Sequence, residues 1–198
     1  MDAAPPTADA RSRMVALALS YVGCGVALDR ARYLALVAGP ADTDEQIRGM
    51  LGAVPGCALV VRGLLRAIGC KHERLLARCD IARASLDIIE IARDAGAWCD
   101  AQERGELLPC PGDVVVSVPT NQIRHNYVVI ERGGTDLPCS FLAVEGGQLD
   151  RRRRQQIVGT SARRWEARGQ NMIDVSRVVR HVEGWCNLGL LAERWPRS

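Results

Sequence analysis

An α+β fold is expected of this sequence, with a helical N-terminal half packed on an antiparallel β-sheet, a meander or small half-barrel, made by the C-terminal half. Three observations predict it. Apolar residues recur at helical spacing through the first hundred residues, one run there (57–68) is apolar on nearly every side, and short β-branched or alternating runs between Gly, Pro, Asp and Asn begin at Val114. With 198 residues, 47% hydrophobic and 25% charged, the chain has the size and composition of one globular domain. Residues 11–198 are read as that domain, and the Pro/Ala/Asp-rich residues 1–10 as disordered.

From Arg11 to about Val22, apolar residues at 14, 15, 18, 19 and 22 predict a helix that Gly23 stops. Shorter helices are expected over 29–37 and 43–51, the second opened by Thr43 and Gln46 in the form of a capping box. After Pro55-Gly56-Cys57 comes a run to Gly69 whose polar members are Arg62 and Arg66, four apart on one face. Such a helix is a buried one. A further helix is expected over 85–95, capped by Gly96. Strands follow at 114–118, 126–131 and 140–145, with more at 162–167 and 172–175. The end, 178–191, reads as mixed helix and loop carrying Trp185. Aromatic residues are 4% of the chain with a single Phe, so the core is expected to be mainly Leu, Val, Ile and Ala.

A net charge of +3 is too small for a nucleic-acid binder, and the four Trp form no stacking stripe between cations. The basic run Arg151–Arg154 is read as a solvated turn. No stretch approaches the roughly 18 apolar residues of a membrane span. The opening residues lack the charged and apolar regions of a signal peptide, so cytoplasmic synthesis and, for action elsewhere, a non-Sec route are expected. The eight cysteines are irregularly spaced in a chain large enough to need no staples, and are read as reduced, buried thiols. His72-Glu73 has the form of half a zinc-deaminase motif, but Cys110 is followed by Pro111-Gly112-Asp113 instead of the second half, so neither a metal nor another cofactor is expected.

Three positions point to nucleophilic catalysis. Cys57 opens the buried helix, where the partial positive charge favours thiolate by roughly 0.3–2 kcal/mol. That alone leaves a thiol mostly protonated, so an imidazole is required. His125 opens a strand, on one face with Tyr127 and Val129; if that face meets the helix, the imidazole reaches Cys57. Glu145 shares a face with Phe141 and Ala143 on the next strand, where it orients the imidazole, and Gly146-Gly147 ends that strand. Gln148 is a second polar candidate for the same role and for substrate contact; Asn121 is a candidate lining residue, and Tyr21 a candidate oxyanion donor or substrate contact. Taken singly, each of Cys57, His125 and Glu145 has an ordinary structural reading, and it is their joint order that singles them out. Cys24 follows a helix end, where the partial charge opposes a thiolate. Asp113 is read as a turn cap, and His72 and His181 have no strand partner.

Four stretches, Ala16-Leu-Ala-Leu-Ser-Tyr-Val-Gly23, Gly56-Cys57-Ala-Leu-Val-Val-Arg62, Pro111-Gly112-Asp113-Val-Val-Val116, and His125-Asn-Tyr-Val-Val-Ile130 with Val144-Glu-Gly-Gly-Gln148, occur in an order that resembles the NlpC-like and CHAP branches of the papain-like cysteine peptidase/amidase superfamily. The resemblance covers about residues 12–150 and departs from the family in flanking the cysteine with Gly56 and Ala58. It implies a papain-like fold and a hydrolase with Cys57 as nucleophile, His125 as base and Glu145 as orienting residue. It also implies a peptide amide substrate, foremost a peptidoglycan stem peptide, and a lysin or delivered antibacterial effector with an immunity or delivery protein as partner. The same triad also serves deamidases, transglutaminase-like and lipid-acyl enzymes, and the fold serves non-catalytic binding modules.

Overall fold

The computed structural model describes residues 6–52, 56–80, 82–103, 107–119, 123–149, 156–176 and 179–195. Six helices come first: α1 (Pro6–Ser20), α2 (Arg30–Val37), α3 (Asp44–Gly52), α4 (Gly56–Ala67), α5 (Glu73–Leu76) and α6 (Ala84–Asp94). Strands β1 (Trp98–Asp100), β2 (Val114–Pro119), β3 (His125–Gly133), β4 (Cys139–Leu149), β5 (Gln156–Arg168), β6 (Asn171–Asp174) and β7 (Arg180–Cys186) follow, and α7 (Leu188–Glu193) comes last. Pro6–Ala10 are already helical, where composition predicts a loose N-terminus; residues 1–5 lie outside the described residues. A proline is tolerated at a first helical position because its missing N–H would have no partner there.

The expected helical half on an open, papain-like meander is not what forms. Every neighbouring pair in the order β7-β2-β3-β4-β5-β6 is antiparallel, and β6 pairs again with β7, so six strands close into a barrel and β1 pairs with β7 outside it. The closing strand lies in the segment read as mixed helix and loop. Gly184 lets β1 lie on it: a Cβ there would stand 2.4 Å from the Cys99 carbonyl oxygen and 2.5 Å from the Trp98 ring. No helix among the described residues is long and apolar enough to cross a membrane.

Closure divides the core in two. Val115, Tyr127, Val129, Phe141, Ala143, Trp165, Met172, Val182 and Trp185 fill the barrel, a width that side chains can fill without leaving a channel. Phe141 packs on Trp165 at 4.6 Å between ring centroids, and Trp165 Nε1 donates to Tyr127 Oη at 3.0 Å. Four of the eight aromatic residues thus lie in the barrel, while the second core, between helices and barrel wall, is mainly aliphatic, with Tyr33 the one aromatic in its buried cluster.

Helix α4 lies at the centre of that second core, with Gly56 to Leu65 all buried. It packs on the outer wall at β3 and β4 and against α1, α2, α5 and α6. Each of its buried Leu and Val side chains contributes about 1.5–3 kcal/mol relative to exposure. Arg62, one of the two polar residues of the run, is buried with the helix; it pairs with Asp87 of α6 and donates through Nη2 to the Arg74 carbonyl at 2.7 Å. Arg66 donates to the Leu36, Val37 and Ala38 carbonyls at the end of α2, answering acceptors that the helix leaves open. Asp113 does more than cap a turn. It accepts from the Cys110 and Leu188 N–H groups and pairs with Arg11 at 3.0 Å, tying α1, β2 and α7 together.

The capping box forms as predicted: Gln46 N–H donates to Thr43 Oγ1 at 3.4 Å, and Thr43 N–H to Gln46 Oε1 at 2.9 Å. Thr43→Ala is expected to cost about 0.5–2 kcal/mol, read as a lower midpoint in urea with an unchanged slope.

Candidate active site

Cys57 is the second residue of α4, so its sulfur stands where the first turn presents N–H groups without helical partners. The first residue of β3, His125, stands beside that sulfur, near enough for its imidazole to act on the thiol. The strand face expected to carry it there is the wrong one. Tyr127 and Val129 point into the barrel, and Val128 of the alternate face packs with the helices. His125 reaches Cys57 because it sits at the strand's end, where the barrel mouth meets the start of α4. Burial pushes the Cys57 thiol up, but the hydrogen bond and charge of His125, with the Asn126 backbone N–H and side chain, outweigh it and leave the thiol below its ordinary value. Asn126 Nδ2 lies 3.9 Å from the sulfur and is held by Ser85 Oγ of α6 at 2.6 Å.

Glu145 of β4 accepts through Oε2 from His125 Nε2. Burial raises the Glu145 carboxyl, yet the bond and charge of His125, then Arg163 and Ser161, hold it down at about 2. Burial opposes the imidazolium, but bonds and charges from Cys57 and Glu145 raise His125 to about 9. Both shifts favour the thiolate–imidazolium form of the pair. The structure brings together the three residues that their joint order in the sequence singles out.

The Gly146-Gly147 pair does not end β4, which runs on to Leu149 through a register shift between Glu145 and Gln148. A Cβ on Gly146 would meet Val60 Cγ2 at 2.5 Å and the Gly56 carbonyl oxygen at 2.7 Å. Gly147 has φ 74° and lies against the Gly56 and Cys57 amides. Two bare residues thus let the strand that carries Glu145 touch the helix that carries Cys57.

Besides Asn126 and Ser85, sequence reasoning missed four neighbours. Tyr33 of α2 is buried, and its hydroxyl is pushed up to about 12 by burial and by the charge of Cys57. It donates to Gln156 Oε1 of β5 at 3.4 Å, across the Cα of Gly56. Arg163 of β5 and Asp174 of β6 are buried inside the barrel mouth. The signal for Arg163 was available in the strand period, because it shares its face with Trp165 and hence an interior position. Nothing in the sequence marks Tyr33 above the other two tyrosines.

Among the other candidates, Tyr21 is half-buried with its ring under Arg32 at 4.6 Å, in a turn that runs beside Gln156 through the Val26 N–H to Gln156 carbonyl bond. Asn121, the Arg151–Arg154 run and the Gln148 side chain lie outside the described residues; the Gln148 backbone pairs with Ile157. Cys24 faces Asp29 at 3.7 Å and is pushed up by burial. His72 accepts from the Arg74 N–H as a helix cap, and His181 does have strand partners, pairing in β7 with Val118 and Ile173. All eight cysteines are free, and among the described residues no three His, Cys, Asp or Glu side chains converge as metal ligands. No protein-family model, curated protein or solved structure matches the chain.

Proposed function

We propose that this protein is a cysteine-dependent hydrolase that cleaves amide bonds through an acyl-enzyme on Cys57. The observation that carries the reading is one juxtaposition: a sulfur at a helix N-terminus, an imidazole beside it, and a buried carboxylate bonded to the imidazole's Nε2. A Cys57 thiolate attacks the carbonyl carbon, and the C=O electron pair moves onto oxygen. The Cys57 N–H receives that oxyanion, and Asn126 Nδ2, 3.9 Å from the sulfur, and the Tyr33 hydroxyl, beside Gly56, are the candidates for a second donor. As the C–N bond breaks, the imidazolium gives its proton to the departing amine, leaving a thioester and a neutral imidazole. His125 then takes a proton from water, hydroxide adds to the thioester carbon, and the acid leaves with the thiolate restored. Glu145 stays ionised throughout and keeps the ring aligned.

The substrate class we propose, peptidoglycan stem peptides, is supported by the wording of the four resembling stretches and by no contact at the site. Purified protein incubated with peptidoglycan sacculi is expected to release new amino and carboxyl termini, detected by mass spectrometry, with none released by Cys57→Ala. Ammonia release from protein glutamine or acyl exchange onto added amine, with no new termini, would move the same triad to deamidation or transfer. At pH 7, Cys57 should react with iodoacetamide at least tenfold faster than the other seven cysteines. Equal rates would sink the catalytic reading.

A further inference from the structure

Glu145 Oε2 receives two hydrogen bonds from cations, one from His125 Nε2 and one from Arg163 Nη2. Arg163 Nη2 also stands 3.3 Å from His125 Nε2 itself. On its other side the guanidinium donates through Nη1 to Asp174 Oδ2 at 3.2 Å, and its plane lies 4.9 Å from the Tyr127 ring centre. Arg163 and Asp174 are 5% and 0% exposed. Asp174 Oδ1 is held in turn by the Ser176 hydroxyl at 2.6 Å and its N–H at 3.1 Å. Charges therefore alternate from Cys57 through His125, Glu145 and Arg163 to Asp174, along the barrel mouth and out of bulk water. Holding a carboxylate ionised there needs a cation, but His125 already supplies one, so the second has another consequence.

We propose that Arg163 is a positioning residue that shares one oxygen of Glu145 with His125 and so loosens the imidazolium's hold on its proton, while Asp174 sets how much of the guanidinium charge reaches the site. The inference rests on the reading of Cys57, His125 and Glu145 as the catalytic set. In the reaction His125 must both hold and surrender a proton. A buried carboxylate bound to it alone would favour holding. A second cation on the same oxygen draws away part of that attraction and repels the imidazolium directly. The groups facing His125 are Cys57 from α4, Glu145 from β4, Arg163 from β5 with Asp174 of β6 behind it, and Tyr127 on its own strand. Ser117 of β2, which cannot titrate in this range, pairs with it across the sheet, and the adjacent Arg124 is neutralised by Glu183 of β7.

The test is the titration of the His125 imidazole, followed by NMR on histidine-labelled full-length protein without substrate. Arg163→Gln combined with Asp174→Asn removes the pair without leaving an unpartnered buried charge. It should raise the His125 midpoint by about one pH unit or more. Asp174→Asn alone leaves the whole guanidinium charge to the Glu145 side and should lower the midpoint. A packing role moves neither midpoint, or moves both the same way, and either result overturns the proposal. If the double variant does not fold, Asp174→Asn decides: a fall supports the role, no change or a rise refutes it. Because the measurement needs no turnover, opposite shifts in a protein that cleaves nothing would retain the Arg163 coupling and discard the hydrolase reading. Turnover without the shifts would do the reverse.

Discussion

His125→Ala is expected to lower turnover by roughly 10³-fold or more, within the range that general acid–base groups and triad members contribute. Two losses compound. The departing amine has no proton donor, and Cys57 loses the bond and the charge that hold its thiol down. What remains around the sulfur is burial, which favours the thiol, and the weaker help of Asn126. A buried thiol of that kind is at most a few per cent thiolate at pH 7. Alkylation of Cys57 by iodoacetamide should therefore slow at least tenfold in the same variant. Unchanged alkylation would mean that His125 does not set the state of the sulfur. The pH profile of the native protein carries the same signature. In the proposed reaction the imidazolium protonates the departing amine, so activity should fall as pH rises through about 9, where His125 loses its proton. On the acid side it should fall as the Cys57 thiolate is protonated, at a pH below the ordinary cysteine value of 9.0. Glu145, held at about 2, stays ionised across that whole interval and adds no limb of its own.

Much of this site was legible because each member stands at a boundary that local sequence marks. Cys57 opens a helix recognisable by its apolar run, and His125 opens a β-branched strand. Glu145 precedes a glycine pair whose purpose is close approach, although its form suggests a strand end. Closure of the barrel was not legible, because it depends on pairings between β6 and β7 and between β2 and β7 that no local period encodes. In β7, Gly184 and Trp185 interrupt the β-branched alternation that identifies β2 and β3. Missing β7 also reverses the meaning of the strand faces. Alternation groups His125 with Tyr127 and Val129, but only closure turns that face inward and makes the strand's end the point of contact with α4. The same closure explains Arg163, an arginine at an interior position, which local reading treats as a surface charge. Its burial makes sense only once Glu145 and Asp174 are known to share the barrel mouth with it.

Gly146→Ala should damage both stability and catalysis by adding a single methyl group. The new carbon would stand 2.5 Å from Val60 Cγ2 and 2.7 Å from the Gly56 carbonyl oxygen, both within the first turns of α4. Val60 is 1% exposed in a packed core, and Gly56 is backbone, so neither is the free end of a flexible chain. Overpacking of this kind costs about 1–3 kcal/mol, and a lower midpoint of thermal unfolding would report it. The larger consequence lies in where the strain goes. Pushing the start of α4 off β4 carries Cys57, the next residue, away from His125 and Glu145, which stay with the barrel. A misplacement of about 1 Å between reacting groups is worth roughly 10²-fold in rate. Gly49→Ala supplies the contrast: its Cβ meets nothing within 4 Å in α3, so it should leave turnover alone and stabilise the helix by up to about 1 kcal/mol. A Gly146→Ala protein with native turnover would show that the strand and the nucleophile helix need not touch for the sulfur and the imidazole to meet.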